Sequence, residues 1–299
     1  MQPDLVVVIV TYNSAHVVGE LFDSLPGALD GLAADVIVVD NGSVDGTAEF
    51  VAAREGCRVV RSANVGYAAG INRGVREAMS ADAILVLNPD VRLQPNSIPP
   101  LLEALNEPNV GIVAPQVRSL QGELESSLRR EPTLPRALGL TRTRLAIFSE
   151  YVSRRSEYSR ACTVDWALGA VLAMSRKCYD ELGGWDETFF LYSEETDLAL
   201  RARDLGWLTR YEPRAVAVHI GGQSGRSPAT HAMQIVNRVR LYRRRHGAVA
   251  SWCYYWLAVA RELTWLVRGR SASPSGMAAL LSPSRRPPEL GCCGRRMPS

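Results

Sequence analysis

Lysine is almost missing from this chain: Lys177 is the only one among 34 basic residues, and arginine supplies the other 33. A P-loop needs Gly-Lys followed by Ser or Thr, and Lys177 follows no glycine, so that phosphate cradle is excluded. No Gly-x-Gly-x-x-Gly occurs either, which disfavours a dinucleotide-binding oxidoreductase. Cysteine is sparse. Cys57, Cys162, Cys178, Cys253, Cys292 and Cys293 make no Cys-x-x-Cys pair and no staple framework, so reduced thiols in a cytosolic compartment are expected. Long hydrophobic runs are lacking too. The six residues Leu5–Val10 have no charged region ahead of them and read as a buried strand, not an export signal. There is no internal repeat.

What is present is an ordinary globular composition, 46% hydrophobic and 22% charged over 299 residues, enough for one large core or two modest ones. The net charge of +3 is unevenly spread. Residues 236–299 carry 12 Arg against Glu262 and Glu289, a net of +10, which leaves −7 on the first 235 residues. A mildly acidic body argues against nucleic acid as a partner, and a basic end favours something anionic, such as a membrane surface.

Short β-branched runs recur at 5–10, 35–40, 58–61, 83–88 and 110–114, separated by helix-compatible sequence at about 15–25, 45–54, 68–79 and 97–106. This alternation predicts an α/β domain with a mostly parallel sheet. Asp45 or Ser43 is expected to cap the second helix and Ser97 the fourth. Residues 117–160 show no clean period and read as a long irregular insertion. The pattern resumes with the apolar run 166–174, a Gly183-Gly184-Trp185-Asp186 turn, a polar helix from Glu194 and two short strands near 207–211 and 214–218.

Ligands of open parallel sheets sit outside the carboxyl ends of the strands, and those ends are polar here: Thr11-Tyr12-Asn13, Asp40-Asn41-Gly42-Ser43 and Asn88-Pro89-Asp90. Asp40 is placed to accept a hydrogen bond from a base or ribose, although an Asn-Gly turn alone explains that stretch equally well. The small residues from Asn64 to Gly74 open a helix whose N–H groups are expected to approach an anion, with Arg73 adding charge. Asp90 is the best metal candidate, a strand-end carboxylate facing a diphosphate, against the simple alternative of a turn residue. His219 ends another apolar run. Glu194, Glu195 and Asp197 open the polar helix. The helix dipole alone accounts for acids there, but the aromatic approach from Trp185 to Tyr192 favours a general base beside a sugar-sized pocket.

Taken in order, Val10-Thr-Tyr-Asn13, Val39-Asp-Asn-Gly-Ser-x-Asp-Gly-Thr47, Asn64-x-Gly-Tyr-Ala-x-Gly-x-Asn72, Leu87-Asn-Pro-Asp90, Gly184-Trp-Asp-Glu187 and Phe190-x-Tyr-x-Glu-Glu-x-Asp-Leu198 resemble family 2 glycosyltransferases, most closely their rhamnosyltransferase-like branch, over roughly residues 4–225. The resemblance implies a GT-A fold, a nucleotide-sugar donor, a divalent cation (Mg²⁺ or Mn²⁺) and inversion by single displacement. It implies Glu195 as catalytic base with Glu194 and Asp197 as alternates. The implied donor-nucleotide residues are Thr11, Tyr12, Asn13, Asp40, Asn41, Gly66, Asn72, Arg73 and Asn88. Asp90 and His219 are the implied metal ligands, and Trp166, Gly169, Trp185, Asp186, Tyr192 and Arg226 the implied sugar and acceptor pocket. Asn88 replaces the first acid of the family's Asp-x-Asp motif, and Glu195 replaces its usual aspartate.

The expected organisation is a catalytic domain over 1–228 (a nucleotide-sugar half over 1–116, an acceptor half over 117–228), a basic amphipathic helical segment over 229–270 and a disordered tail over 271–299. The expected activity is transfer of a sugar, with rhamnose from dTDP-rhamnose the favoured case, from a dTDP- or UDP-sugar to a polysaccharide or lipid-linked glycan at the inner face of the cytoplasmic membrane. A catalytically silent scaffold that binds sugar nucleotide or membrane is the alternative, and an enzyme that forms sugar nucleotides is a third. The charge-free run 248–260 is too short to span a bilayer. Two readings of 241–268 stand level: a helix lying in the membrane interface and one packed on the catalytic domain. Homodimerisation is left open.

Overall fold

A computed structural model describes residues 2–140, 143, 145–221, 227–292, 294, 297 and 298. The first half alternates β1 (Leu5–Thr11), α1 (Val18–Leu29), β2 (Ala34–Asp40), α2 (Thr47–Ala52), β3 (Cys57–Arg61), α3 (Tyr67–Glu77) and β4 (Ala83–Leu87). After it come β5 (Val91–Leu93), α4 (Pro99–Leu105), β6 (Val110–Arg118), β7 (Leu128–Arg129), α5 (Leu134–Ala137), β8 (Cys162–Val164), β9 (Trp166–Ala167), β10 (Val171–Ser175), α6 (Arg176–Leu182), α7 (Glu194–Asp204) and β11 (Leu208–His219). Three helices close the chain: α8 (Pro228–Arg245), α9 (Ala248–Val267) and α10 (Ser273–Leu281).

The main sheet runs in the order β3-β2-β1-β4-β10-β6-β11-β5, with β8 added against β11. The strands β3, β2, β1 and β4 are parallel, as are β6 and β11, whereas β10 runs antiparallel between β4 and β6. Every residue of β1 is buried, because its two faces feed two cores. Leu5, Val7 and Ile9 pack with Leu21 and Leu25 of α1, while Val6, Val8 and Val10 pack with Ile71 and Val75 of α3. Gly70 and Gly74 let α3 lie close on that strand. A Cβ at Gly74 would stand 2.5 Å from a Val8 methyl, and one at Gly70 2.8 Å from Val10. These glycines therefore serve helix–sheet packing and not the approach of an anion.

Three local expectations are corrected. The two short strands expected near 207–211 and 214–218 are one, β11 (Leu208–His219), whose pairing with β6 slips between Glu212 and Val216, where Pro213 has no N–H to offer the ladder. Ser97 does not cap α4 but donates to the carbonyls of Gln94 and Val216. Neither Asp45 nor Ser43 is the N-cap of α2: that position is Gly46 and no side chain caps it, although Asp45 accepts the Thr47 N–H (3.1 Å).

The tail expectation is also overturned. Of residues 271–299, α10 packs on α8 and α9, with Leu280, Leu290 and Cys292 buried. Tyr255 donates to the Leu280 carbonyl (2.8 Å), and Arg286 ties the carbonyls of Ala279 and Cys292. A few apolar side chains suffice to fold this Ser-, Pro- and Arg-rich stretch because the inner faces of α8 and α9 are there to receive them. Nor does α8 stand apart from the preceding domain: Asn237 donates to the carbonyls of Leu191 (2.9 Å) and Tyr192 (3.1 Å), and Arg240 to that of Thr188 (3.0 Å). The loop leading into α7 is thus held from outside.

Candidate active site

The carboxyl ends of β1, β2, β4 and β11 gather at one edge of the sheet. Asp40 is buried there and accepts from Thr11 Oγ1 (3.0 Å), the Ser43 N–H (3.0 Å) and Ser43 Oγ. Asn13, in the left-handed region at φ 51°, accepts the Val44 N–H at its Oδ1, and its own N–H donates to Ser43 Oγ. These bonds stitch the β1 and β2 ends into one rim, with the Tyr12 side chain exposed beside it. Asn41 donates from Nδ2 to the Gly66 carbonyl (3.0 Å), and its Oδ1 is buried without a partner. Gly66, at φ +94°, is obligatory: a Cβ there would sit 2.6 Å from the Phe190 carbonyl oxygen, which accepts the Tyr67 N–H.

Behind this rim, Tyr67 donates its hydroxyl to Asn88 Oδ1 (2.6 Å), lies 3.5 Å from the Gly169 carbonyl and packs edge-on against Trp185. Burial, with Glu194, Asp90 and Glu195 nearby, drives the phenol pKa well above its ordinary value. Gly169 in turn leaves room for Glu195, whose Cβ would be 3.2 Å from a Cβ at that glycine. Glu194 and Glu195 start α7 after Tyr192 and Ser193, both at positive φ (68° and 73°). Each carboxylate has one buried oxygen with no partner. Burial and the charge of Glu195 push Glu194 well above the carboxylate range; burial likewise raises Glu195, against its backbone hydrogen bonds and the Arg129 charge.

Asp90 and His219 face each other across the β4 and β11 ends, with Oδ2 and Nε2 3.4 Å apart and Glu125 Oε2 4.0 Å from His219 Nδ1. Burial opposes a charge on His219, but the hydrogen bond and charge of Asp90, with Glu125, carry its pKa above the usual value. A groove of about 770 Å³ lined by Asp4, Asp82, Arg176 and Glu181 lies at the opposite sheet edge. None of the unpartnered buried side-chain atoms of the described residues falls on its lining.

Residues 6–163 match the model of the family described as Glycosyl transferase family 2. The N-acetylglucosaminyl-diphospho-decaprenol L-rhamnosyltransferase of Mycobacterium tuberculosis is 34% identical over 76% of this chain and 80% of its own length. The chain belongs to glycosyltransferase family 2. A low-salt glycan biosynthesis hexosyltransferase of Haloferax volcanii is 27% identical over 68% of this chain and 62% of its own. Among solved structures, a Pyrobaculum calidifontis mannosyltransferase in complex with GDP-Man and Mn²⁺ aligns with a TM-score of 0.58 at 18% identity, covering 97% of this chain and 83% of that one. GalNAc-T7 with UDP, GalNAc and Mn²⁺ aligns with a TM-score of 0.63 at 15% identity, over 87% of this chain and 51% of that one. The fold is GT-A, and the protein is a rhamnosyltransferase-like enzyme of that family.

The family motifs mix site residues with clamps. Asn72 is a clamp: Nδ2 donates to the Trp185 carbonyl (2.8 Å) and Glu187 Oε1 (2.9 Å), and Oδ1 accepts from Tyr179 Oη and the Trp185 N–H (2.9 Å each). A carboxamide has two donors and two lone pairs, so nothing remains for a donor nucleotide, and its expected role is corrected. Asp197 is likewise removed from the catalytic set. It bonds Arg201 (2.6 Å), which holds the carbonyls of Leu182 and Gly184. Asp186 is turned to α8, pairing with Arg244 and accepting the Thr188 N–H, and so leaves the sugar pocket. Trp185 is 2% exposed, packed behind Tyr67 with its indole N–H unpartnered. Arg73 donates to Ser62 Oγ on the β3 side, and Tyr192 presents its carbonyl to Asn237. Trp166 donates its indole N–H to the Arg130 carbonyl. Arg226 lies outside the described residues.

Two neighbours of the acid pair were not anticipated as site residues. Tyr67 stands inside a family motif already quoted, and its position at a helix start was the available signal. Arg129 comes from the aperiodic insertion, where nothing marked it. Its guanidinium lies 4.1 Å from the Tyr151 ring centroid and 5.7 Å from that of Trp166.

The raised pKa of Glu194 predicts a stability change. The folded state holds this proton more tightly than the unfolded chain, so the stabilisation is full below the unfolded pKa and is lost as pH rises through the folded one. Glu194→Gln keeps the shape and removes the penalty. A gain of about 1 kcal/mol, or roughly 2–4 °C in Tm, is expected at pH 8, with little change at pH 4, in thermal unfolding at the two pH values. A lower Tm at pH 8 contradicts this account of the pair.

Proposed function

We propose that this enzyme transfers a hexose, with L-rhamnose from dTDP-rhamnose the favoured donor, to an isoprenoid-diphosphate-linked glycan, inverting the anomeric carbon in one displacement. The observation that carries the reading is the buried, unpartnered oxygen of Glu195 beside Gly169, at the same strand-end edge as Asp90 and His219. The acceptor and sugar are those in the name of the mycobacterial relative, which shares 34% of its residues across most of both chains.

Glu195 takes the proton of the acceptor hydroxyl as that oxygen bonds to the anomeric carbon and the bond to the nucleoside diphosphate breaks on the opposite face. Burial and the Glu195 charge push the Glu194 pKa well above the carboxylate range, which favours Glu195 as the base of the pair. Asp40, with one lone pair of Oδ2 still unused, faces the base or ribose from the rim. Tyr67 fixes Asn88 and the floor next to the acids. Among the described residues no three acidic, His or Cys groups converge as a complete cage. Asp90 and His219, 3.4 Å apart, fit a Mg²⁺ or Mn²⁺ ion and would hold it as two of its ligands. Bound there, such an ion supplies charge neutralisation on the departing diphosphate.

Calorimetric titration with dTDP, UDP and GDP, each with Mg²⁺ or Mn²⁺ and again with chelator, tests the donor class. One nucleotide is expected to bind tightly only with metal, and Asp90→Asn to weaken that binding about tenfold or more. Binding that ignores both chelator and Asp90→Asn removes the metal from the reading.

A further inference from the structure

The inner face of α9 is buried on α8, α10 and α5, but its outer face has no cover among the described residues. Val249, Trp252, Trp256, Ala260, Leu263 and Val267 are exposed at spacings of three or four and so form one apolar stripe along this 20-residue helix. The exposed Leu138, Leu140, Leu145 and Ile147 extend this apolar surface next to α9, where Gly139 meets the Arg261 side chain and Ala137 packs with Tyr254. Among the described residues, half of the 20 exposed large hydrophobic side chains are those four and six on α9. That density is a patch, not the scatter normal for a surface.

We propose that this face docks on the surface of an anionic phospholipid bilayer. Its charge selects that occupant. Among the described residues, 132–149 and 248–270 hold Arg136, Arg261, Arg268 and Arg270 against one acid, Glu262, which is 0% exposed and bonded to His231 (2.9 Å). The flanking acids turn away, Glu150 to Arg238 and Glu131 to Arg203. A second copy meeting the same face about a two-fold axis would set this cationic rim against its own image, whereas a layer of anionic headgroups neutralises it. Arg261 and Arg270 lie over the Trp265 ring at 4.5 and 4.2 Å, the pairing of indole and cation suited to a polar–apolar boundary. No helix of the described residues is long and apolar enough to cross a membrane, so α9 lies on the surface. The docking stands on this surface alone. Its use, bringing the cleft to a membrane-held acceptor, rests on the transfer reading above.

Co-sedimentation of the full chain with vesicles of phosphatidylcholine alone, or with about 30% phosphatidylglycerol, at low and high salt, is the test. The chain is expected to bind the anionic vesicles about tenfold or more tightly, to lose most of that advantage in high salt, and to be released by Trp252→Glu with Trp256→Glu. The same double variant should keep its Tm and its metal-supported nucleotide binding, which separates this surface from the cleft. Equal binding to both vesicles, or a double variant that binds as the parent does, overturns the proposal. So does a solution dimer that Trp256→Glu dissociates, since the stripe would then be a contact between copies.

Discussion

Glu195→Gln is expected to lower turnover by about 10²–10⁴-fold while changing nucleotide affinity little, as stopped assays and calorimetry on one preparation will show. The amide keeps the shape and fills the same space against Gly169, but it cannot take the proton of an attacking hydroxyl. The loss therefore belongs in kcat. The pH profile carries a second signature. Burial raises the Glu195 pKa, and a base works only when ionised, so activity should fall with decreasing pH at a higher pH than an ordinary glutamate would give. An unchanged rate in the Gln variant removes Glu195 from this role and favours a cleft that binds sugar nucleotide without using this acid.

Asn72→Leu has the largest expected effect on stability. One side chain joins α3 to the Gly183–Trp185 turn, and the substitution strands the Trp185 N–H and carbonyl and the Tyr179 hydroxyl together. At about 1–3 kcal/mol for each buried group left unpaired, a loss of roughly 3–5 kcal/mol is expected, on the order of 10 °C in Tm. The site leaves no slack for repair, since a Cβ on Gly184 would lie 2.7 Å from Asn72 Oδ1. An Asn72 variant that melts like the parent but binds nucleotide poorly would restore Asn72 to the donor site.

These two residues show what the sequence reveals and what it conceals. The parallel half of the sheet was legible because strands buried on both faces must be unbroken apolar runs, as in β1 and β4. The insertion of β10 between β4 and β6 was not, because its run 171–175 looks the same whichever neighbours it has. Polar residues at strand ends mark an edge, but not which of them face the ligand. Asp40 and Asn88 hold that edge, while Asn72, Asp186 and Asp197 carry equally strong motif signals and are spent on neighbouring segments. Short polar side chains serve either end, and only the partner's position decides. Arg129 was hidden for the opposite reason, lying in a stretch with no period to place it. Composition misjudged 271–299 because burial there depends on the surface offered by α8 and α9, which no local window contains.

The central claim is sugar transfer at the carboxyl edge of the sheet, and it is tested most directly by incubating the purified chain with dTDP-L-rhamnose, a polyprenyl-diphosphate-linked N-acetylglucosamine and Mn²⁺ or Mg²⁺. The product's anomeric configuration is then read by NMR. The account predicts a rhamnosylated lipid whose new linkage is opposite in configuration to that of the donor, formed neither in chelator nor by Glu195→Gln. A product that retains the donor's configuration, or transfer that persists in chelator and in the Gln variant, would contradict it.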